Sequence, residues 1–152
     1  MDNPAENPNV KQAVPFFMVT DMARSLHFYL SGLGFELKIK WEPEGTIEWC
    51  WLQLGEASLM LQEYRNNVPA EKRGVGVSIV FMCNDALKIY RDILERGLVP
   101  KEPFVGNNLW VTEISDPDGY HLFFESPANV PEETRYSEWI KTNGPEAPGT
   151  AP

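Results

Sequence analysis

A chain of 152 residues with 43% hydrophobic and 12% aromatic content is sized for one globular domain with a real core. Its net charge of −9 excludes the basic, phosphate-neutralising surface of a nucleic-acid binder, and no run approaches the roughly 20 apolar residues of a membrane helix. Such a charge first serves solubility; around a cleft it also focuses a field that favours a cationic small ligand.

Residues 1–12 hold Pro4 and Pro8 and little apolar content, which predicts a flexible arm, and they lack the basic and apolar regions of a secretory signal. Val14-Pro15-Phe16-Phe17-Met18-Val19 predicts a strand that runs into Thr20-Asp21, residue types that accept from the free N–H groups of a helix start. Met22, Leu26, Tyr29, Leu30 and Leu33 then recur at helical spacing, and Gly32 and Gly34 stop the helix. Strand signals follow over 35–41, 47–54 and 59–64, the last two joined by Gly55-Glu56.

The same order then restarts. Ser78-Ile79-Val80-Phe81-Met82-Cys83 predicts a strand, Asn84-Asp85 a cap, and Leu87, Tyr90, Ile93 and Leu94 a helix face ending at Gly97. Strands are expected over 99–104, 109–115 and 120–125, the last pair joined by Asp116-Pro117-Asp118-Gly119, where Pro presets φ and Gly accepts a positive one. Arg73-Gly74-Val75-Gly76 reads as a flexible connector. The fold class is therefore α+β: two tandem βαβββ modules, about 13–66 and 77–127, within a single domain over 13–127, their sheets forming a ligand cup. The remainder, 128–152, is rich in Pro and Glu and predicts a mostly irregular tail, except for Tyr136-Ser137-Glu138-Trp139-Ile140, an aromatic anchor for the domain or a neighbouring subunit.

Strand alternation sorts side chains by face. If Val14 faces the cup, so do Phe16 and Met18, with Met60 and Gln62, with Ser78, Val80 and Met82, and with His121, Phe123 and Glu125. Trp49 and Trp51 share one face of their strand, and Trp110 and Thr112 share one of theirs, with the inward face undetermined. Phe16, Met18, Trp49, Trp51, Met60, Gln62, Ser78, Trp110, His121, Phe123 and Glu125 are thus the candidate ligand-binding residues. Met and aromatic residues at this period are also what core packing uses. His121 and Glu125 are the candidate acid–base or polar-handle groups; lying roughly 13 Å apart along one strand, they are too distant to chelate one ion together. His27 and Glu63 are expected to face outward. Cys50 and Cys83 read as buried free thiols of a reducing cytoplasm, and neither a nucleophile elbow nor a glycine-rich phosphate loop occurs.

Thr20-Asp21-Met22-Ala23-Arg24-Ser25-Leu26-His27-Phe28-Tyr29 followed by Gly32-Leu33-Gly34-Phe35, together with the 116–119 hairpin and the doubled βαβββ order, resembles the vicinal oxygen chelate superfamily of glyoxalases, bleomycin-resistance proteins and extradiol dioxygenases. The resemblance covers about residues 13–127. In metal-using members it implies ligands on the first and last strands of each module, which fall here on Val14, Met60, Ser78 and Phe123. None offers imidazole, carboxylate or thiolate, so no resident metal or other cofactor is expected. The resemblance thus implies a cytoplasmic homodimer that binds a small aromatic or cationic molecule without turnover. The alternative is a glyoxalase- or dioxygenase-type enzyme with a relocated metal, involving Gln62 or Glu48, or with metal-free chemistry at His121 and Glu125. A third reading is a degenerate domain used for protein contacts.

Overall fold

The computed structural model describes residues 9–63, 69 and 72–149. Most of the expected arm, Tyr64 at the end of one expected strand, and Pro152 lie outside them.

Each module is a four-stranded mixed sheet with a helix on one face. Strands β1 (Phe16–Val19), β2 (Glu36–Trp41), β3 (Trp49–Leu54) and β4 (Ala57–Glu63) assemble in the order β1-β4-β3-β2, with β1 parallel to β4 and the rest antiparallel. Strands β5 (Ser78–Met82), β6 (Phe104–Gly106), β7 (Leu109–Ser115) and β8 (His121–Pro127) repeat the plan in the order β5-β8-β7-β6. The strand expected over 99–104 is shorter and later: only Phe104–Gly106 pairs with β7.

The caps work as their chemistry dictates. Asp21 accepts from the Arg24 N–H at 3.0 Å to open α1 (Met22–Leu26), and Asp85 accepts from Leu87 and Lys88 N–H at 3.1 Å to open α2 (Ala86–Glu95). The first N–H of each helix is met by the closing strand of its module: Met22 N–H by Glu63 at 3.1 Å, Ala86 N–H by Ser126 at 2.8 Å. Glu63 therefore serves the helix and does not point away from it. Helix α1 loosens into a π-helical turn over His27–Gly32, where Leu33 N–H reaches back to the Phe28 carbonyl at 2.9 Å. On α2 the inward face is Ala86, Leu87 and Ile93, and Leu94 is exposed instead.

The helix-side faces of both sheets meet in one core that includes Phe17, Val19, Tyr29, Phe35, Leu59, Leu61, Ile114, Leu122 and Phe124. Phe17 of the first module stacks on Tyr120 of the second, centroids 4.0 Å apart, and the Tyr29 hydroxyl donates to Asp116 at 2.8 Å. Asp118, buried in the expected turn, accepts from Thr20 and from Arg73. The Gly74 connector is positioned rather than merely flexible. It has φ +71°, and a Cβ there would lie 2.6 Å from the Gly119 carbonyl oxygen, so only glycine lets these backbones touch.

The tail is more structured than its composition suggests. Residues 133–135 pair with the free edge of β6, and Tyr136–Asn143 form α3. The expected aromatic anchor docks on its own domain: Trp139 packs against Trp110, and with Val105, Ala86 and Leu87 they form a second core.

Candidate functional site

Helices cover one face of each sheet and leave the other open. On the first sheet the strand register sets side chains in two rows across all four strands. One row runs Phe16, Met60, Trp51, Ile39, and the next Met18, Gln62, Trp49, Trp41. Neighbours in such rows stand about 5 Å apart, so they form a continuous aromatic and thioether plate with Gln62 as its polar member. Phe16, Ile39 and Trp41 are 44%, 55% and 55% exposed, whereas Phe17 and Val19, which point the other way, are buried. The two tryptophans whose direction alternation left open, Trp49 and Trp51, thus belong to the open face.

The second sheet presents a different plate. Its rows are Ser78, His121, Ser115; then Val80, Phe123, Glu113; then Met82, Glu125, Val111, Phe104. Val80 and Met82 are 49% and 65% exposed, while Ile79 and Phe81 turn toward the core. This face carries the polar groups. His121 Nδ1 lies 3.3 Å from the Ser115 hydroxyl and 3.6 Å from the Glu113 carboxylate, and Lys101 Nζ sits 3.0 Å from the same carboxylate. A hydrogen-bonded imidazole beside a carboxylate can orient a ligand's polar group or exchange a proton with it. Glu125 stands among Met82, Val111 and Phe123 instead of joining His121.

One candidate moves. Trp110 is fully buried, opposite Ser126 on the helix side of β7, and packs against Trp139 of α3. It belongs to the core and not to the cup; Thr112, on the same side, donates to the Ala86 carbonyl at 2.9 Å. The open face of β7 is formed by Val111, Glu113 and Ser115, which alternation alone could not select. What settles the direction of Trp110 is the tail aromatic Trp139 that covers it, and no signal in the sequence names that pairing. Ile39, across from Trp51, joins the open face as well, and its parity with Trp41 is the signal that marks it.

The thiols are unsuited to nucleophilic work. Burial pushes both Cys50 and Cys83 up to about 11, and both are free. Burial likewise raises Asp116 above the usual carboxylate range, and raises Tyr29, which donates to it, well above the usual phenol value. These two groups hold the modules together beneath the sheets. His27 is exposed on the far side of α1.

The positions where the resemblance places metal ligands are Val14, Met60, Ser78 and Phe123. Their side chains supply no imidazole, carboxylate or thiolate, and among the described residues no three His, Cys, Asp or Glu side chains gather as a metal site. The residues present do not fit the ion of the metal-using members. No helix among the described residues is long and apolar enough to cross a membrane.

Comparison with known proteins agrees with this architecture. A bleomycin-binding protein solved in complex with bleomycin superposes with a TM-score of 0.62 at 21% identity, covering 77% of this chain and 98% of its own. TnmS3, an antibiotic-binding protein from Streptomyces sp. CB03234, gives 0.61 at 22% identity, covering 78% and 98%. A glyoxalase/bleomycin resistance protein from the same Streptomyces gives 0.61 at 21% identity, covering 76% and 100%. At these identities the likeness is one of fold. No curated protein matches the sequence. The family model for the Glyoxalase/Bleomycin resistance protein/Dioxygenase superfamily matches residues 11–124, which is most of the chain, and the protein belongs to that superfamily.

Proposed function

We propose that this protein binds and sequesters a small aromatic, positively charged molecule on its open sheet faces, without a resident metal and without turnover. The observation that carries the reading is the plate of exposed Phe16 and half-buried Trp49, Trp51 and Met60, continued by exposed Ile39 and Trp41, on one face of a sheet whose other face is core. Flat π-surfaces and thioethers grip a planar guest through dispersion and stacking, and tryptophan is the strongest partner for a cationic ring. The net charge of −9 draws such a guest in. Solved neighbours of the same fold include antibiotic-binding proteins.

Exposed apolar side chains on two separate plates also favour a homodimer in which the first sheet of one subunit closes over the second sheet of the other, forming two cups. The free thiols suit a reducing, cytoplasmic setting.

The test is a titration of metal-free protein with bleomycin and with the planar cation quinacrine, read by tryptophan fluorescence. Saturable quenching is expected for at least one, weakened about tenfold or more by Trp51→Ala. Unchanged affinity in Trp51→Ala, or uptake of one equivalent of Zn²⁺, Ni²⁺, Mn²⁺ or Fe²⁺ with a matching rise in melting temperature, overturns the reading.

The proximity of His121 to Glu113 and Ser115 favours, as a second reading, metal-free acid–base chemistry on a bound substrate. It requires consumption of the bound compound that stops in His121→Ala.

A further inference from the structure

The segment that follows β8 does more than cover the core. It crosses the outer edge of the second sheet and raises a wall beside the open face. Val105 N–H donates to the Thr134 carbonyl at 3.0 Å, and Glu133 N–H donates to the Val105 carbonyl at 2.9 Å. Glu132 clamps the neighbouring hairpin, its carboxylate accepting from Asn107 N–H at 2.9 Å and from Asn108 N–H. Between this wall and the sheet lies a cavity of about 370 Å³ lined by Lys101, Glu102, Phe104, Val111, Glu113, Glu133 and Arg135. That size is within the range of small-ligand pockets. Phe104 and Val111, paired across β6 and β7, are its apolar members, and Glu113 lies both in this lining and 3.6 Å from His121, so one carboxylate is shared with the polar plate.

Four of its five charged side chains are already matched in two pairs. Lys101 pairs with Glu113 at 3.0 Å and Arg135 with Glu102 at 3.8 Å. Glu133 makes no side-chain hydrogen bond or ion pair among the described residues. It also holds φ +65°, the left-handed region that disfavours a side chain, at a cost of about 1 kcal/mol or more. A glycine would sit there with less strain, yet the position carries a carboxylate. The superfamily match ends at residue 124, so the wall lies beyond what the family pattern describes.

We propose that Glu133 and the 132–135 wall form a side subsite that takes the protonated amine arm of the ligand while its ring lies on the sheet faces. The inference rests on the binding function above. It commits the ligand to two parts, a planar ring and a flexible ammonium-bearing chain.

The experiment compares quinacrine, an acridine with a diaminoalkyl arm, with 9-aminoacridine, which has the ring and no arm, on the full chain at low salt. Quinacrine is expected to bind about fivefold more tightly. Glu133→Gln and Glu133→Gly should both erase that preference and leave 9-aminoacridine affinity as in the parent. The glycine variant, which relieves the backbone, guards against a loss caused by misfolding. If either variant keeps the preference, or if the parent binds both probes equally, the subsite is overturned while the cup stands. If neither acridine binds the parent while bleomycin does, the subsite is overturned and the cup stands; if none of the three compounds binds, the binding function fails and the subsite fails with it.

Discussion

At the scale of single residues, the titratable groups under the sheets matter for stability more than for chemistry. Burial foremost, then the Asp116 carboxylate, holds the Tyr29 phenol well above its usual value of 10.0, and burial holds the Cys50 and Cys83 thiols at about 11. The folded chain therefore keeps protons that the unfolded chain has already released. Stability is fully present below the unfolded values and declines as pH rises through the folded ones. The free energy of urea unfolding is expected to hold up to about pH 9 and then fall toward pH 11. Tyr29→Phe should flatten the part of the decline above pH 10, where the phenol titrates; an unchanged slope there would show that Tyr29 contributes nothing to it. Aspartates 21 and 85 were readable as caps because their task is local, an oxygen offered to N–H groups two or three residues on. The direction of Trp110 was not readable, since either face of β7 admits a large ring and the choice belongs to what packs on it.

At the scale of elements, the repeat of strand, cap and helix was legible from periodicity, and seven of the eight strands fall where alternation puts them, within a few residues. The exception is β6. Its expected run, 99–104, holds Pro100, Lys101, Glu102 and Pro103 between Val99 and Phe104; the prolines offer no N–H to a ladder, Val99 is exposed, and the ladder starts only at Phe104, where β7 and the 133–135 segment hydrogen-bond to either side. A strand needs partners, and local sequence does not reveal where a partner begins. The same limit applied to the tail. Proline and glutamate content argued for irregularity, yet Trp139 finds a buried place on Trp110, Val105 and Leu87 that stabilises α3. Trp139→Ala should destabilise the domain by about 3 kcal/mol. Thermal unfolding checks this; a loss within about 0.5 kcal/mol, the range of an ordinary surface change, would mean that α3 is an ornament and not part of the core.

At the scale of the whole molecule, the two modules act as one body because polar side chains of the second reach the backbone and side chains of the first. Asp118 accepts from the Thr20 N–H at 3.1 Å and from Arg73 at 3.1 Å, with its own side chain 1% exposed. Asp118→Asn is expected to cost about 2–3 kcal/mol, the worth of hydrogen bonds to a buried charge. A double-mutant cycle with Thr20→Val should show coupling above about 0.5 kcal/mol, and additive losses would separate the two modules energetically. The same packing turns both helix-covered faces inward and leaves the aromatic plate and the polar plate outward, so the arrangement that stabilises the domain also creates the surfaces proposed to bind.

The sequence by itself determined the doubled βαβββ order, the caps, the 116–119 turn and the side chains that share a face on each strand, because all of these follow from backbone periodicity and local hydrogen bonding. It also determined that the positions where the resemblance implies metal ligands, Val14, Met60, Ser78 and Phe123, carry no imidazole, carboxylate or thiolate. Only the tertiary structure decided which face of β3 and β7 opens outward, that Gly74 is a contact point, and that the tail walls a pocket with Glu133. Those outcomes depend on burial and pairing between segments far apart in the chain, and no local pattern encodes which distant partner a face will meet.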